Sequence, residues 1–414
     1  MSYLGEEIGK LGFGLMRLPQ LKDPAEGPEE SAPEGATEGS PAKNPEGNSA
    51  KEQPEDKPAK QPAGPRIDIE QTKQMVDLFM DAGFTYFDTA WAYEGSEDAI
   101  RQALVERYPR ESFQLATKNA AWINCKTRED AIAQFDTSLR QSGAGYIDSY
   151  LLHTLGENRT KIFDDFDMWS YLAQKKEEGL IKHLGFSFHS TAEELEEILQ
   201  QHPDMEFVQL QINYGDWESP NVQSRACYEV ARKYDKPVII MEPVKGGNLA
   251  NPPDTVKALF DEAEPDASYA SWAMRFCADL EGVITVLSGM SSIEQMEDNI
   301  AALKGFTGLT QEQRLVLARA REELEKVPTI PCTVCDYCAK VCPNNIGISG
   351  SFVCMNLVIL YDNISFAKEH LGWQIGAHGK KPATECIKCG ACEQACPQHI
   401  EIVKELERVA ETLY

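Results

Sequence analysis

Two cysteine runs share one spacing. CTVCDYCAKVCP, from Cys332 to Pro343, and CIKCGACEQACP, from Cys386 to Pro397, both read C-x2-C-x2-C-x3-C-P. Zinc sites use two separated pairs of ligands with a long gap between them. Three closely spaced cysteines and a Cys-Pro suit 4Fe–4S clusters instead, because three thiolates on one loop cap three iron corners and the fourth must come from elsewhere. A second set of residues suits two-electron chemistry. FDTAWAY supplies Asp88 and Tyr93, LATK supplies Lys118, and LLHTL supplies His153. Reduction of a carbonyl needs a hydride on carbon and a proton on oxygen. A tyrosine can give the proton, but its ordinary pKa of about 10 is high for transfer near neutrality. A neighbouring ammonium lowers it, so Lys118 could tune Tyr93, Asp88 could hold Lys118, and His153 could orient the carbonyl oxygen. Taken singly, these residues have plain structural uses: a turn cap, a packed aromatic, a surface charge and a core histidine.

For the four to meet, the elements that carry them must converge. Strand-like runs, LGFGLMR, TYFDTA, FQLATK, YIDSYLLH, IKHLGFSF, FVQLQIN, PVIIME and GVITVL, alternate with stretches such as IEQTKQMVDLFMDAG, REDAIAQFDTSLRQSG and TAEELEEILQQH. Apolar residues recur at three and four in those stretches, so they are expected to be helices. Eight strands alternating with helices predict an α/β fold, a closed parallel (β/α)8 TIM barrel. Asp88, Tyr93, Lys118 and His153 each fall at or just past a strand's C-terminal end, and in a barrel those ends share one mouth. GFG at Gly12–Gly14 starts no G-x-G-x-x-G turn, so a Rossmann domain is not indicated. Residues 23–65 contain no Val, Ile, Leu, Met, Phe, Tyr or Trp. Such a segment cannot bury enough apolar surface to offset the cost of ordering its backbone, and is expected to be a disordered insertion in the first βα loop. Pro328 and Pro331 mark the expected boundary between a barrel over 1–327 and a second domain over 328–414.

The formal charge of −26 disfavours nucleic acid and anionic lipid surfaces as partners. No apolar run is long enough for a membrane span, and the N-terminus has neither the basic nor the apolar region of a secretory signal. The expectation is therefore a cytoplasmic protein. Nine of the 12 cysteines lie between Cys332 and Cys396, which is ligand clustering rather than a disulfide framework. Of these nine, Cys354 stands outside the two runs and reads as a buried thiol.

GFTYFDTAWAYEGSEDAIRQAL, LATK and IDSYLLH together resemble the aldo/keto reductases, in which Asp-Thr-Ala, Tyr and Gly-x-Glu recur as Asp88–Ala90, Tyr93, Gly95 and Glu97 do here. The resemblance implies a barrel with Tyr93 as proton donor beside Asp88, Lys118 and His153. It also implies a nucleotide site at Ser187, Gln209, Met241, Gly289, Ser291, Gln295, Asp298 and Asn299, for NADP(H) or NAD(H). Four positions depart from the family pattern. Phe188 follows Ser187 where an amide is usual, MEPV places Met241 in the stacking position and Glu242 at a small hydroxyl, and Ser292 stands where a basic residue often meets the 2′-phosphate. FMN is the alternative carrier. Both cysteine runs resemble two-cluster ferredoxins, which implies one cluster on Cys332, Cys335, Cys338 and Cys396 and another on Cys386, Cys389, Cys392 and Cys342. The whole layout resembles the aldo/keto reductase branch with a small, largely helical ferredoxin-like tail. Three activities follow from this. The first is a carbonyl reductase or alcohol dehydrogenase coupled to one-electron transfer through two clusters, and the second a flavin oxidoreductase fed by an external ferredoxin-like redox partner. The third is a redox-sensing or interaction subunit without turnover.

Overall fold

A computed structural model describes residues 4–21, 66–376 and 378–414. The expected disordered insertion at 23–65 lies outside the described residues. Eight strands, β1 (Leu11–Gly14), β2 (Tyr86–Asp88), β3 (Gln114–Asn119), β4 (Ile147–Leu155), β5 (Ile181–Phe188), β6 (Phe207–Gln211), β7 (Val238–Met241) and β8 (Val283–Ser288), close into one parallel barrel in sequence order. Each expected strand run overlaps one of them, with β3, β4 and β8 running one or two residues further. The seam closes where β1 pairs with β8, Phe13 against Ser288.

The connecting helices start where the sequence supplies caps. Asp68 accepts from the Gln71 backbone N–H ahead of the helix Ile69–Asp81, and Thr127 and Thr310 form reciprocal capping boxes with Asp130 and Gln313. Their apolar faces pack on the outside of the strands, where most of the core lies.

A second, smaller core fills the barrel's interior. It consists of Tyr86, Ala116, Leu151, Phe207, Ile239, Ile284 and Leu287. This plug explains how the site is aimed. Side chains two residues apart on a strand share a face, so the residues two positions beyond the plug also point inward, at the mouth. Those residues are Asp88, Lys118, His153, Gln209 and Met241. The plug also explains Gly185. A β-carbon there would lie 2.6 Å from the Phe207 carbonyl oxygen and 2.7 Å from its ring. Gly185→Ala should therefore cost about 1–3 kcal/mol through overpacking against backbone that cannot retreat, visible as a lowered unfolding midpoint.

Beyond the helix Gln311–Glu325 the chain is helical and rich in loops. Its helices are Tyr337–Lys340, Ile348–Tyr361, Ile364–Leu371, Ala391–Ala395 and Ile402–Leu413. Ile348–Tyr361 is apolar on nearly every side and is correspondingly buried among its neighbours. Cys354 lies on it, fully buried. Ile402–Leu413 buries Ile402, Leu406, Val409 and Leu413 along one stripe. Among the described residues, no helix is long and apolar enough to cross a membrane.

Candidate active site

The register between β2 and β3 sets Asp88 beside Ala116, and Lys118 lies two residues further along on the same face. The fully buried Lys118 ammonium donates to Asp88 Oδ1 at 2.5 Å and to the Thr89 carbonyl at 2.7 Å. It also stands 5.0 Å from the centre of the Tyr93 ring, close enough to act on the phenol electrostatically. Burial works against the ammonium, but Asp88 and Tyr93 outweigh it, so the lysine stays charged. The His153 ring meets the Tyr93 ring edge-on, with centroids 5.7 Å apart. The structure thus brings all four expected residues to one place.

Electrostatics at Tyr93 differ from the sequence expectation. The Lys118 charge does pull its pKa down, but burial of the phenol, helped by Asp88, pulls harder, and the pKa stands above its ordinary value. The hydroxyl is therefore fully protonated at neutral pH. His153 moves the other way. Burial and the nearby Lys118 charge hold it well below the usual histidine range, so its ring is neutral. Its Nδ1 is buried without a partner, leaving a polar atom for a ligand to engage.

The other expected contacts divide into two groups. Gln209 lies at the pocket floor, its Nε2 against Met241 Sδ at 3.5 Å and its Oε1 buried without a partner. Ser187 accepts from the Thr154 backbone N–H at 2.7 Å, and Thr154 is held at a φ of 60° to present it. Gln209 Oε1 is thus an unengaged acceptor on the inward face of the strands. Residues of the β8 end are engaged with the protein itself. Asn299 is buried and donates to Ser288 Oγ at 2.8 Å, and Asp298 accepts from Ser268. Gln295 Oε1 accepts the Ser291 N–H, and Ser292 caps the helix Ile293–Leu303. Gly289 lies against the Arg17 side chain.

Some mouth residues have no place in the sequence expectation. Trp122, just past β3, donates its indole N–H to the His153 carbonyl at 2.9 Å, and its ring lies 6.1 Å from that imidazole. Lys245 pairs with Asp216 beside the turn after β7. Glu242, next after β7, keeps an exposed surface although protein crowds its carboxyl. Burial there raises its carboxyl, while Lys245 and Arg17 pull it down. A tryptophan just past a strand end was a readable signal. The pairing of Lys245 with Asp216 carried none.

The thiols gather around two small spaces. One is lined by Cys332, Cys335, Cys338 and Cys396, the other by Cys342, Cys386, Cys389 and Cys392. Among the described residues, no three of His, Cys, Asp or Glu converge as a single-ion site requires. The thiols stand around open space, and four of them around each cavity are a donor set that fits a cluster.

Comparison with known proteins is consistent with both halves. The aldo/keto reductase family model matches residues 59–314, well over half of the chain, and a 4Fe–4S dicluster domain model matches residues 331–401. An aldo-keto reductase of Mycolicibacterium smegmatis is 30% identical over 118 residues, which are 28% of this chain and 41% of that protein. An uncharacterized oxidoreductase of Schizosaccharomyces pombe is 25% identical over 261 residues, 59% of this chain and 80% of its own length. In fold, the chain is similar to an aldo-keto reductase of Bacillus halodurans in its holo form. The TM-score is 0.54 at 21% identity, with 76% of this chain and 93% of that one covered. A Klebsiella pneumoniae aldo/keto reductase solved with NADP and acetate aligns at a TM-score of 0.50 and 20% identity, over 61% and 85% of the two chains.

Proposed function

The chain belongs to the aldo/keto reductase family, and from that premise we propose that it interconverts a small carbonyl compound and its alcohol, with Tyr93 moving the proton. In this reading residues 1–327 hold the reaction and residues 328–414 hold two 4Fe–4S clusters that exchange electrons one at a time with an external small redox protein. A two-electron carrier held in the pocket would supply the hydride, with the clusters as the source of its electrons. Reduction of one carbonyl thus consumes two electrons and two protons, one of the protons from Tyr93.

The observation that carries the reading is the Lys118 ammonium shared by Asp88 and Tyr93, with the neutral His153 ring against the phenol. A substrate oxygen between Tyr93 and His153 takes one hydrogen bond from each. As the proton leaves Tyr93, the fixed Lys118 charge stabilises the phenolate in a site with little water to do so. Gln209 and Ser187 offer polar atoms to the carrier ring, and Met241 a polarizable face. The Klebsiella pneumoniae aldo/keto reductase was solved with NADP, which supports a redox carrier as the partner of this site.

The test is anaerobic incubation of cluster-loaded, chemically reduced protein with a panel of aldehydes and ketones, with alcohol products measured by chromatography. Alcohol should form from at least one class of carbonyl. None from any class would contradict the proposal. A pH dependence follows as well. Tyr93 titrates above its ordinary value and His153 well below its own. Carbonyl reduction should therefore be flat between about pH 7 and 9 as far as these groups are concerned. Alcohol oxidation needs the phenolate and should rise with pH, about tenfold per unit, across the same window. An inflection near pH 6.5 to 7 in reduction would mean that His153 titrates as a free imidazole.

A further inference from the structure

The segment between the two cysteine runs crosses the barrel mouth. Asn363, at the start of the helix Ile364–Leu371, donates to the Asn248 side chain in the turn after β7. Phe366 lies against Gly246 of the same turn so closely that a β-carbon on Gly246 would sit 2.3 Å from the ring. Arg17, in the loop after β1, stacks over Phe366 at 5.6 Å and pairs with Glu369 at 3.6 Å. Further along, Trp373 meets Trp122 beyond β3, with ring centroids 5.8 Å apart.

The closed strand order turns these contacts into a position. β8 lies between β7 and β1, so a helix that touches the loops after β7 and after β1 spans the end of β8. That end holds Gly289 and Ser291. Unbroken contact runs from Gly246 through Phe366 to Arg17, and the Arg17 side chain in turn lies 3.7 Å from where a Gly289 β-carbon would be. A dinucleotide with its ring beside Tyr93 and its far half at the β8 end would have to pass through this contact. The donors that would greet its phosphates are also taken: Ser291 N–H by Gln295, and Gln295 N–H by Ser292. Glu294, on the first turn of that helix, adds negative charge at the β8 end.

We infer that the pocket is served by a short carrier, a flat redox ring with at most one phosphate such as a flavin mononucleotide, and that the Ile364–Leu371 helix bars an extended nicotinamide dinucleotide. The inference rests on the reading of the pocket as a carrier site. It makes the cluster-bearing region part of the active site's wall as well as its electron supply.

The test uses the cluster-loaded full chain, prepared without oxygen and titrated with FMN, NADPH and NADH by equilibrium dialysis. FMN should bind one per chain in the micromolar range, with neither dinucleotide bound at about 1 mM. Phe366→Ala with Glu369→Ala should let NADPH bind at least tenfold more tightly while retaining FMN affinity. Arg17→Ala opens the same contact from the barrel side and should act in the same direction. Cluster absorbance and thermal midpoint establish that the variants are folded. Micromolar NADPH binding to the unaltered chain overturns the inference, as does failure to bind FMN, or folded variants that leave the preference unchanged. Binding is read without turnover, so absence of carbonyl reduction would count against the proposed reaction and not against this preference.

Discussion

Tyr93→Phe should lower carbonyl reduction by about 10²–10⁴-fold, the range supplied by a positioned acid, while leaving the fold, iron content and carrier binding unchanged. The size follows from what the hydroxyl does and what its loss leaves behind. Phenylalanine keeps the ring against His153, and Lys118 keeps Asp88 and the Thr89 carbonyl as acceptors. No buried charge is orphaned, so the loss falls on the reaction and not on stability. The effect should appear in kcat far more than in KM. Lys118→Met is a poorer test. It strands the Asp88 carboxylate in a dry site, and breaking a buried pair typically costs about 3–5 kcal/mol, so lost activity would merge with lost structure. Steady-state kinetics on the Tyr93 variant, with circular dichroism and iron analysis alongside, settles which occurs. Undiminished turnover would remove Tyr93 from the mechanism.

Cys396→Ser should strip the cluster attributed to the first cysteine run, although Cys396 belongs to the second. Iron should fall from about eight to about four per chain, with loss of one of two paramagnetic signals in the dithionite-reduced protein. The expectation comes from the cavities, since Cys396 lines the space shared with Cys332, Cys335 and Cys338. Cys342→Ser should remove the other cluster, because Cys342 lines the space with Cys386, Cys389 and Cys392. Cys354→Ser is the control. That thiol is fully buried in an apolar helix and lines neither space, and its replacement should leave iron at the parent level. Should Cys396→Ser and Cys389→Ser abolish the same signal, each run would be holding its own cluster. Zinc in place of iron would end the electron-transfer reading altogether.

The barrel was legible because its signal is periodic. Eight apolar runs at regular intervals leave few ways to close a sheet, and an alternation of two along each strand fixes which residues face inward. Asp88, Lys118 and His153 follow from that parity. Tyr93 does not lie on a strand, and its position depends on the turn after β2. The cysteine runs were legible because ligand spacing is local, and resemblance to ferredoxins supplied the crossing of the fourth ligands.

Contacts between distant segments carry no local pattern. Nothing in the types of Phe366, Glu369 or Trp373 says that they lie over a barrel mouth. The rise in the Tyr93 pKa was hidden for a related reason. A cation next to a phenol can be inferred from a motif, but the depth of burial that outweighs it depends on every element packed around the mouth. The acids and amides of the β8 end show the opposite case. Their order matches a nucleotide-binding stretch, while their side chains are occupied with Ser268, Ser288 and Ser291.

The measurement that bears most directly on the union of the two halves is rapid-mixing spectroscopy of the clusters. Protein reduced by dithionite, freed of excess reductant and loaded with its carrier, is mixed without oxygen with a carbonyl that it turns over. Cluster absorbance should recover as the carbonyl is consumed, two electrons per alcohol formed, and should recover at least a hundredfold more slowly in Tyr93→Phe. Recovery at the same rate in both proteins, or alcohol formed with the clusters left reduced, would show that the tyrosine site and the clusters do not act on one reaction.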